Sequence, residues 1–167
     1  MPTTYTHDIF GKEVYKRLPS EIKEAIRESK SMYLIGLHGP DILFYYQPLM
    51  KNRVSGLGHQ VHQREAAEFF CQAVVKYQEE PTAQMLSYLL GFGCHYILDS
   101  ACHPYVRRFE KETGASHSEI ESELDRYYML MTDFRQELSS TKNLYNKNLI
   151  AAVRDNPFCP SGPLRWP

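Results

Sequence analysis

The sequence has little charge imbalance, few cysteines and no long uninterrupted hydrophobic run, and each shortage excludes a class of protein. Lys and Arg number 19 and Asp and Glu 20, so the formal net charge is −1, whereas a dedicated nucleic-acid-binding protein usually has a basic excess. The four cysteines form no Cys-x-x-Cys pair, so we expect free thiols. The most apolar stretch, residues 85–102, contains His95 and Asp99 one turn apart, which indicates a buried helix and not a transmembrane one.

The N-terminus also lacks a secretory signal. The first 21 residues have no basic segment followed by an apolar one, so we expect a cytoplasmic protein, with leaderless export as the alternative. A chain of 167 residues is long enough for one domain with a hydrophobic core. We expect this domain to span residues 1–155, followed by an irregular tail rich in Pro and Gly over residues 156–167.

Apolar residues recur at spacings of three and four along most of the chain, which predicts an all-α, single-domain, multi-helix fold. The helical patterns cover residues 20–31, 62–79, the stretch from Pro81 to about Cys102, 116–138 and 142–154. Pro104 is expected to end the third of these helices. Residues 47–58 contain Pro48, Gly56 and Gly58 and are expected to form a loop. No alternating pattern typical of strands competes with these helices.

Two of the predicted helices carry polar side chains at helical spacing. His95, Asp99 and His103 lie at i, i+4 and i+8, so they share one face of their helix. Burying such groups without partners costs several kcal/mol, and a divalent cation would satisfy both residue types. On the next helix His117 and Glu121 are again four residues apart, a spacing that can chelate one zinc ion. Together the two helices predict a metal site.

Further histidines and an acidic residue extend this candidate site. Asp41 follows a Gly-Pro turn among apolar residues and is either a ligand or a turn-capping residue. His62 opens a helical pattern and is a better ligand candidate than His59 in the glycine-rich loop. His7 near the chain start is either a ligand or a solvated residue. Residues expected to support the ligands, or to replace one of them, are His38, His59 and Asp125.

Five separate stretches, in the right order, resemble the bacterial zinc-dependent phospholipase C family. They are THDIFGKEV, LIGLHGPDILF, GLGHQVH, LLGFGCHYILDSACHP and HSEIESELD, and the resemblance runs from about residue 3 to residue 135. It implies the all-α fold that this family shares with the S1/P1-type nucleases. It also implies zinc ions in a cleft and cleavage of phosphodiester bonds, with phosphatidylcholine as the best-known substrate.

The resemblance assigns a ligand set for each zinc ion. The first ion would be held by Asp41, His62, His95 and Asp99, and the second by His103, His117 and Glu121. Asp99 would bridge to a third ion, completed by His7 and the N-terminal main chain, and Asp41 would also act as general base.

The sequence departs from the family pattern in ways that leave some of these points open. The chain begins with Met1 where the secreted enzymes have a chelating Trp, so two zinc ions are expected and the third is open. Ile42 follows Asp41 where those enzymes have an aromatic residue, so specificity for phosphatidylcholine is open as well.

These features predict a zinc-dependent phosphodiester hydrolase that acts on a phospholipid or a related phosphodiester, with peripheral contact to a membrane. One alternative is a single-strand nuclease or nucleotide phosphoesterase on the same scaffold, because the metal ligands would be identical and bound metal could supply the missing positive charge. A second alternative is a catalytically idle zinc-binding module.

Overall fold

A computed structural model of the chain describes residues 4–131, and this part contains only helices, which confirms the predicted all-α class. The α-helices are α1 (Thr4–Arg17), α2 (Ser20–Glu28), α3 (Lys30–Gly36), α4 (Arg53–Gln63), α5 (Ala66–Glu79), α6 (Ala83–Thr113) and α7 (His117–Met131), with a 3₁₀ helix at Gly39–Tyr45. Met1–Tyr128 forms one compact unit. The predicted helix at 142–154 and tail at 156–167 lie outside the described residues, so the domain boundary stays a prediction.

The long helix α6 is the centre of this fold, because α1, α2, α3 and α5 all pack on it. Its first half is apolar and buries Met85, Tyr88 and Phe92. The predicted end at Pro104 is wrong, since the helix continues to Gly114, whose left-handed backbone (φ 74°) closes it. Proline removes one helical hydrogen bond, but Pro104 lies on an exposed part of the helix where water can replace that bond. None of the described helices is long and apolar enough to cross a membrane.

Two glycines let α3 and α6 approach each other backbone to backbone. A methyl group on Gly36 would lie 2.3 Å from the carbonyl oxygen of Tyr88, and one on Gly91 would lie 2.2 Å from that of Tyr33. No side chain fits at either position, because real Cβ atoms do not approach other atoms so closely. This contact brings the end of α3, with Leu37, against the middle of α6.

Helix α4 occupies part of the segment expected to be a loop, so that expectation is wrong for residues 53–58. The side chain of Asn52 accepts hydrogen bonds from the backbone N–H groups of Val54 and Ser55, both at 2.9 Å. The Ser55 hydroxyl accepts one from the Asn52 N–H at 3.2 Å in return, which completes a capping box. This start offsets the low helix propensity of Gly56 and Gly58.

Candidate metal centre

The eight residues predicted as metal ligands come together in three clusters on five different helices. Within each cluster the candidate ligand atoms lie within 4.8 Å of one another. The clusters are His7, His95 and Asp99; Asp41, His62 and His95; and His103, His117 and Glu121. His7 comes from α1, Asp41 from the 3₁₀ helix and His62 from α4, while α6 and α7 supply the rest. Their roles as zinc ligands stay predictions.

His95 is held so that one ring nitrogen faces two carboxylates. Its Nδ1 donates to the Leu37 carbonyl oxygen at 3.2 Å, so in the neutral ring Nε2 carries a lone pair. This Nε2 is buried without a hydrogen-bond partner, 3.3 Å from Asp99 Oδ2 and 3.8 Å from Asp41 Oδ2. Three acceptors therefore point at one another, an arrangement that a cation between them would stabilise.

His62 repeats the same arrangement from α4. Its Nδ1 donates to the Gly58 carbonyl oxygen at 2.7 Å, and its Nε2 lies 2.8 Å from Asp41 Oδ1. Burial lowers the pKa of His62, but the hydrogen bonds with Asp41 and Gly58 outweigh burial and raise the pKa overall. A metal ion would take the place of the proton that this pair shares.

Asp99 lies between the clusters. Its Oδ1 is 3.1 Å from His7 Nε2 and 3.9 Å from His103 Nε2, while Oδ2 faces His95. Burial raises the pKa of Asp99, but the imidazole rings of His7 and His95 beside it outweigh burial and hold the pKa well below its usual range. The His7 ring stacks on His95 with 4.1 Å between centroids, and its Nδ1 is a second buried nitrogen without a partner. Asp99 thus has the position that a bridging carboxylate requires.

The third cluster connects α6 with α7. Glu121 Oε1 lies 2.8 Å from His117 Nε2 and 3.6 Å from His103 Nε2. Burial raises the pKa of Glu121, but His103 and His117 outweigh it and lower the pKa overall. On the far side of the ring, His117 Nδ1 lies 3.6 Å from Glu110 Oε2, so Glu110 is the acidic neighbour of the ring nitrogen that does not face Glu121. Sequence reasoning missed Glu110, although it lies two helical turns beyond His103 on the same helix.

The donor set fits zinc, because all its atoms are imidazole nitrogens or carboxylate oxygens. A family model described as zinc dependent phospholipase C matches residues 6–157. The chain belongs to the zinc-dependent phospholipase C family. This confirms the resemblance seen in five stretches and supports a phospholipase C-like, zinc-dependent hydrolase. Comparisons with curated proteins and with solved structures give no significant match.

In this phospholipase C-type fold, Asp125, predicted as a supporting residue or alternative ligand, belongs to none of the three clusters. Instead its carboxylate accepts hydrogen bonds at the start of α1, from the N–H groups of Tyr5 (3.1 Å) and Thr6 (2.8 Å) and from the Thr6 hydroxyl (2.5 Å). Asp125 therefore caps the helix that carries His7, a role that depends on contact between the first and last described helices.

The two remaining histidines also lie outside the clusters. His38 is buried at the start of the 3₁₀ helix, and burial, assisted by His7 and His95, lowers its pKa to about 4. It is therefore a neutral neighbour of the ligands. His59 packs against Phe44, with 4.8 Å between ring centroids, and lines the cleft beside His62.

The clusters open onto a cleft of about 560 Å³ that is lined by polar and apolar residues. The polar lining residues are Asp41, Gln47, Lys51, Ser55, His59, His62, Asp99, His103, His117 and Glu121, and the apolar ones are Phe44, Pro48, Leu49 and Met50. His7 and His95 are buried beneath the floor, each less than 5% exposed. The cleft can therefore accommodate a molecule that has an anionic and an apolar part.

Proposed function

We propose that the chain hydrolyses the phosphodiester bond of a phospholipid, with zinc ions held in the cleft. The first ion would be held by Asp41, His62, His95 and Asp99, the second by His103, His117 and Glu121, and a third between His7 and Asp99. The observation that carries this proposal is the unpartnered ring nitrogen of His95. His95 donates Nδ1–H to the Leu37 carbonyl oxygen and turns its buried Nε2 toward the carboxylates of Asp99 and Asp41.

When bound, zinc would neutralise charge on the phosphate and lower the pKa of a coordinated water molecule. The chain's own contribution is to place acceptors around that water. Asp41 Oδ1 pairs with His62, and Oδ2 lies 3.8 Å from His95 Nε2. One of these two oxygens would bind zinc, and we assign the other as the proton acceptor in the cleft.

The lining of the cleft favours a lipid over a nucleic acid. Of the described residues that line it, only Phe44 is a phenylalanine, tyrosine or tryptophan, and only Lys51 is a lysine or arginine. Proteins that bind single-stranded nucleic acids combine several stacking aromatics with a basic groove. The apolar lining residues Pro48, Leu49 and Met50 instead suit the acyl-bearing part of a phospholipid.

The test is the zinc content of the full, untagged chain, measured beside its activity. We expect about two or three zinc ions per chain, and loss of about one in a His117→Ala, Glu121→Ala double variant. The matched control is Glu123→Ala on the same helix, because among residues 4–131 Glu123 pairs only with exposed Arg126, so its loss should leave the zinc content unchanged. Wild-type protein with zinc on fewer than about one chain in five would contradict the proposal.

Substitution of Asp41 tests the proton-accepting role. Asp41→Asn removes the basic oxygen while keeping the size of the side chain, so turnover of a soluble phosphatidylcholine should fall by about 100-fold or more. The zinc content of each preparation separates loss of a ligand from loss of the base. A variant that keeps both its zinc and the wild-type turnover would exclude Asp41 as the base.

A further inference from the structure

Residues 46–51, here called the rim loop, connect the 3₁₀ helix to α4 and expose two apolar side chains at the edge of the cleft. Leu49 is 97% exposed and Met50 68%. Both line the same cleft as His62 and His103. A single exposed apolar residue is ordinary on a protein surface, but a neighbouring pair at the entrance of a substrate cleft indicates an interaction surface.

The structure holds the rim loop in this exposed position. The Asn52 side-chain amide donates to the carbonyl oxygens of Tyr46 (3.0 Å), Gln47 (3.4 Å) and Met50 (2.9 Å). Gln47 has a left-handed backbone, with φ of 46°, and its carbonyl oxygen also accepts a hydrogen bond from the Met50 N–H at 3.0 Å. The side-chain oxygen Oδ1 of Asn52 also caps α4. One residue therefore fixes the loop to the helix that carries His62.

We propose that the rim loop docks the protein on a phospholipid surface by inserting Leu49 and Met50 among the lipids, a proposal that rests on the proposed function. Lys51 and Arg53 follow the apolar pair, are exposed, and have no ion-pair partner within residues 4–131. Cationic side chains beside a short apolar tip match a lipid surface with anionic headgroups.

A lipid surface fits this tip better than a protein partner does. A stable protein interface buries about 800 Å² on each side, far more than two side chains present. Insertion in a lipid surface needs only a small apolar tip, and cations beside it reach the headgroups. Because the tip borders the cleft, docking there would bring a phosphodiester directly to the candidate ligands. A phospholipid molecule could then enter the cleft directly from the lipid surface, without first passing through water.

The test compares a Leu49→Ser, Met50→Ser variant with wild-type protein, both zinc-loaded and full length. The control is Val74→Ser, Val75→Ser on α5, a neighbouring pair of exposed apolar residues (51% and 55%) that does not line the cleft. Binding is measured by co-sedimentation with vesicles of a phosphatidylcholine analogue whose cleavable P–O bond is replaced by P–C, with and without an anionic sulfolipid. We expect the rim-loop variant to lose about tenfold or more in binding, the control to match wild type, and the sulfolipid to strengthen wild-type binding.

A second variant observes insertion directly. The chain has one tryptophan, so Leu49→Trp in a Trp166→Phe background reports on the rim loop alone. Its emission should shift to the blue on the same vesicles, as expected for an indole that leaves water. An unshifted emission, or equal vesicle binding by the rim-loop variant and wild type, would overturn the proposal; in that case the exposed pair would suit a protein partner.

Hydrolysis separates this proposal from the proposed function. The ratio of activity on phosphatidylcholine vesicles to activity on a soluble short-chain phosphatidylcholine should fall in the rim-loop variant. An equal loss on both substrates would overturn the docking role and place the loop in the substrate site. Wild-type protein that binds vesicles through the loop but cleaves neither substrate would contradict the proposed function alone. Wild-type protein that cleaves the soluble lipid but does not bind vesicles would contradict the docking proposal alone.

Discussion

Replacement of Asp125 by alanine should destabilise the protein and weaken metal binding at His7. The Asp125 carboxylate accepts three hydrogen bonds from Tyr5 and Thr6 in the first turn of α1. Backbone N–H groups in the first turn of a helix have no partner within the helix. Without the carboxylate they would be hydrogen-bonded to water or would have no hydrogen-bond partner. His7 lies in the same turn and would lose its fixed position beside Asp99.

The magnitude follows from the number and kind of these bonds. Loss of a capping side chain costs about 0.5–2 kcal/mol, and hydrogen bonds to charged groups lie at the strong end of the usual range. For three bonds to one partly buried carboxylate we expect the free energy of unfolding to fall by about 2 kcal/mol. For a chain of this length that corresponds to a melting temperature lower by about 4–8 °C. Asp125→Asn keeps one acceptor oxygen and should cost about half as much.

The assay is thermal unfolding of the zinc-loaded and chelator-treated protein, together with the zinc content. Glu123→Ala is the matched control, because Glu123 lies on the same helix and, within the described part of the chain, pairs only with Arg126 at the surface. The loss of stability in Asp125→Ala should persist after chelation, since the cap does not depend on metal. The zinc lost should be limited to the ion that His7 and Asp99 would share. A melting temperature equal to that of Glu123→Ala in both states would refute this reasoning.

Two further predictions concern the packing of α6 and the pH dependence of stability. Gly91→Ala would place a methyl group 2.2 Å from the Tyr33 carbonyl oxygen and should lower the free energy of unfolding by about 3 kcal/mol in urea. Gly93→Ala meets no atom within 4 Å and should leave it unchanged or raise it by up to about 1 kcal/mol; equal values would contradict the described contact of α3 with α6. Burial lowers the pKa of His38 from 6.5 to about 4. Between these two pH values the unfolded chain therefore binds a proton at His38 that the folded chain does not bind. The zinc-free protein should lose about 3 kcal/mol as the pH falls through this window, and His38→Asn should flatten that slope.

The sequence predicted best those features that one helix determines by itself. The spacing of His95, Asp99 and His103 placed them on one face of α6 because helical geometry fixes that relation. Pro104 and Gly58 were misleading because each was judged by its intrinsic propensity alone. The solvent exposure of Pro104 and the capping box at Asn52 offset those propensities. The capping box could have been found in the sequence, since Asn52 and Ser55 have its three-residue spacing.

The cap that Asp125 forms on α1 and the proximity of Glu110 to His117 could not be predicted in this way, because they depend on contacts between helices. The same holds for the orientation of the histidine rings. The close approach at Gly91 brings the Leu37 carbonyl oxygen to His95 Nδ1, and this bond leaves Nε2 to face the carboxylates. A backbone carbonyl from a neighbouring helix therefore determines which nitrogen is available for metal. It follows that substitutions in the α3–α6 contact, far from any ligand in sequence, should weaken metal binding through the orientation of His95.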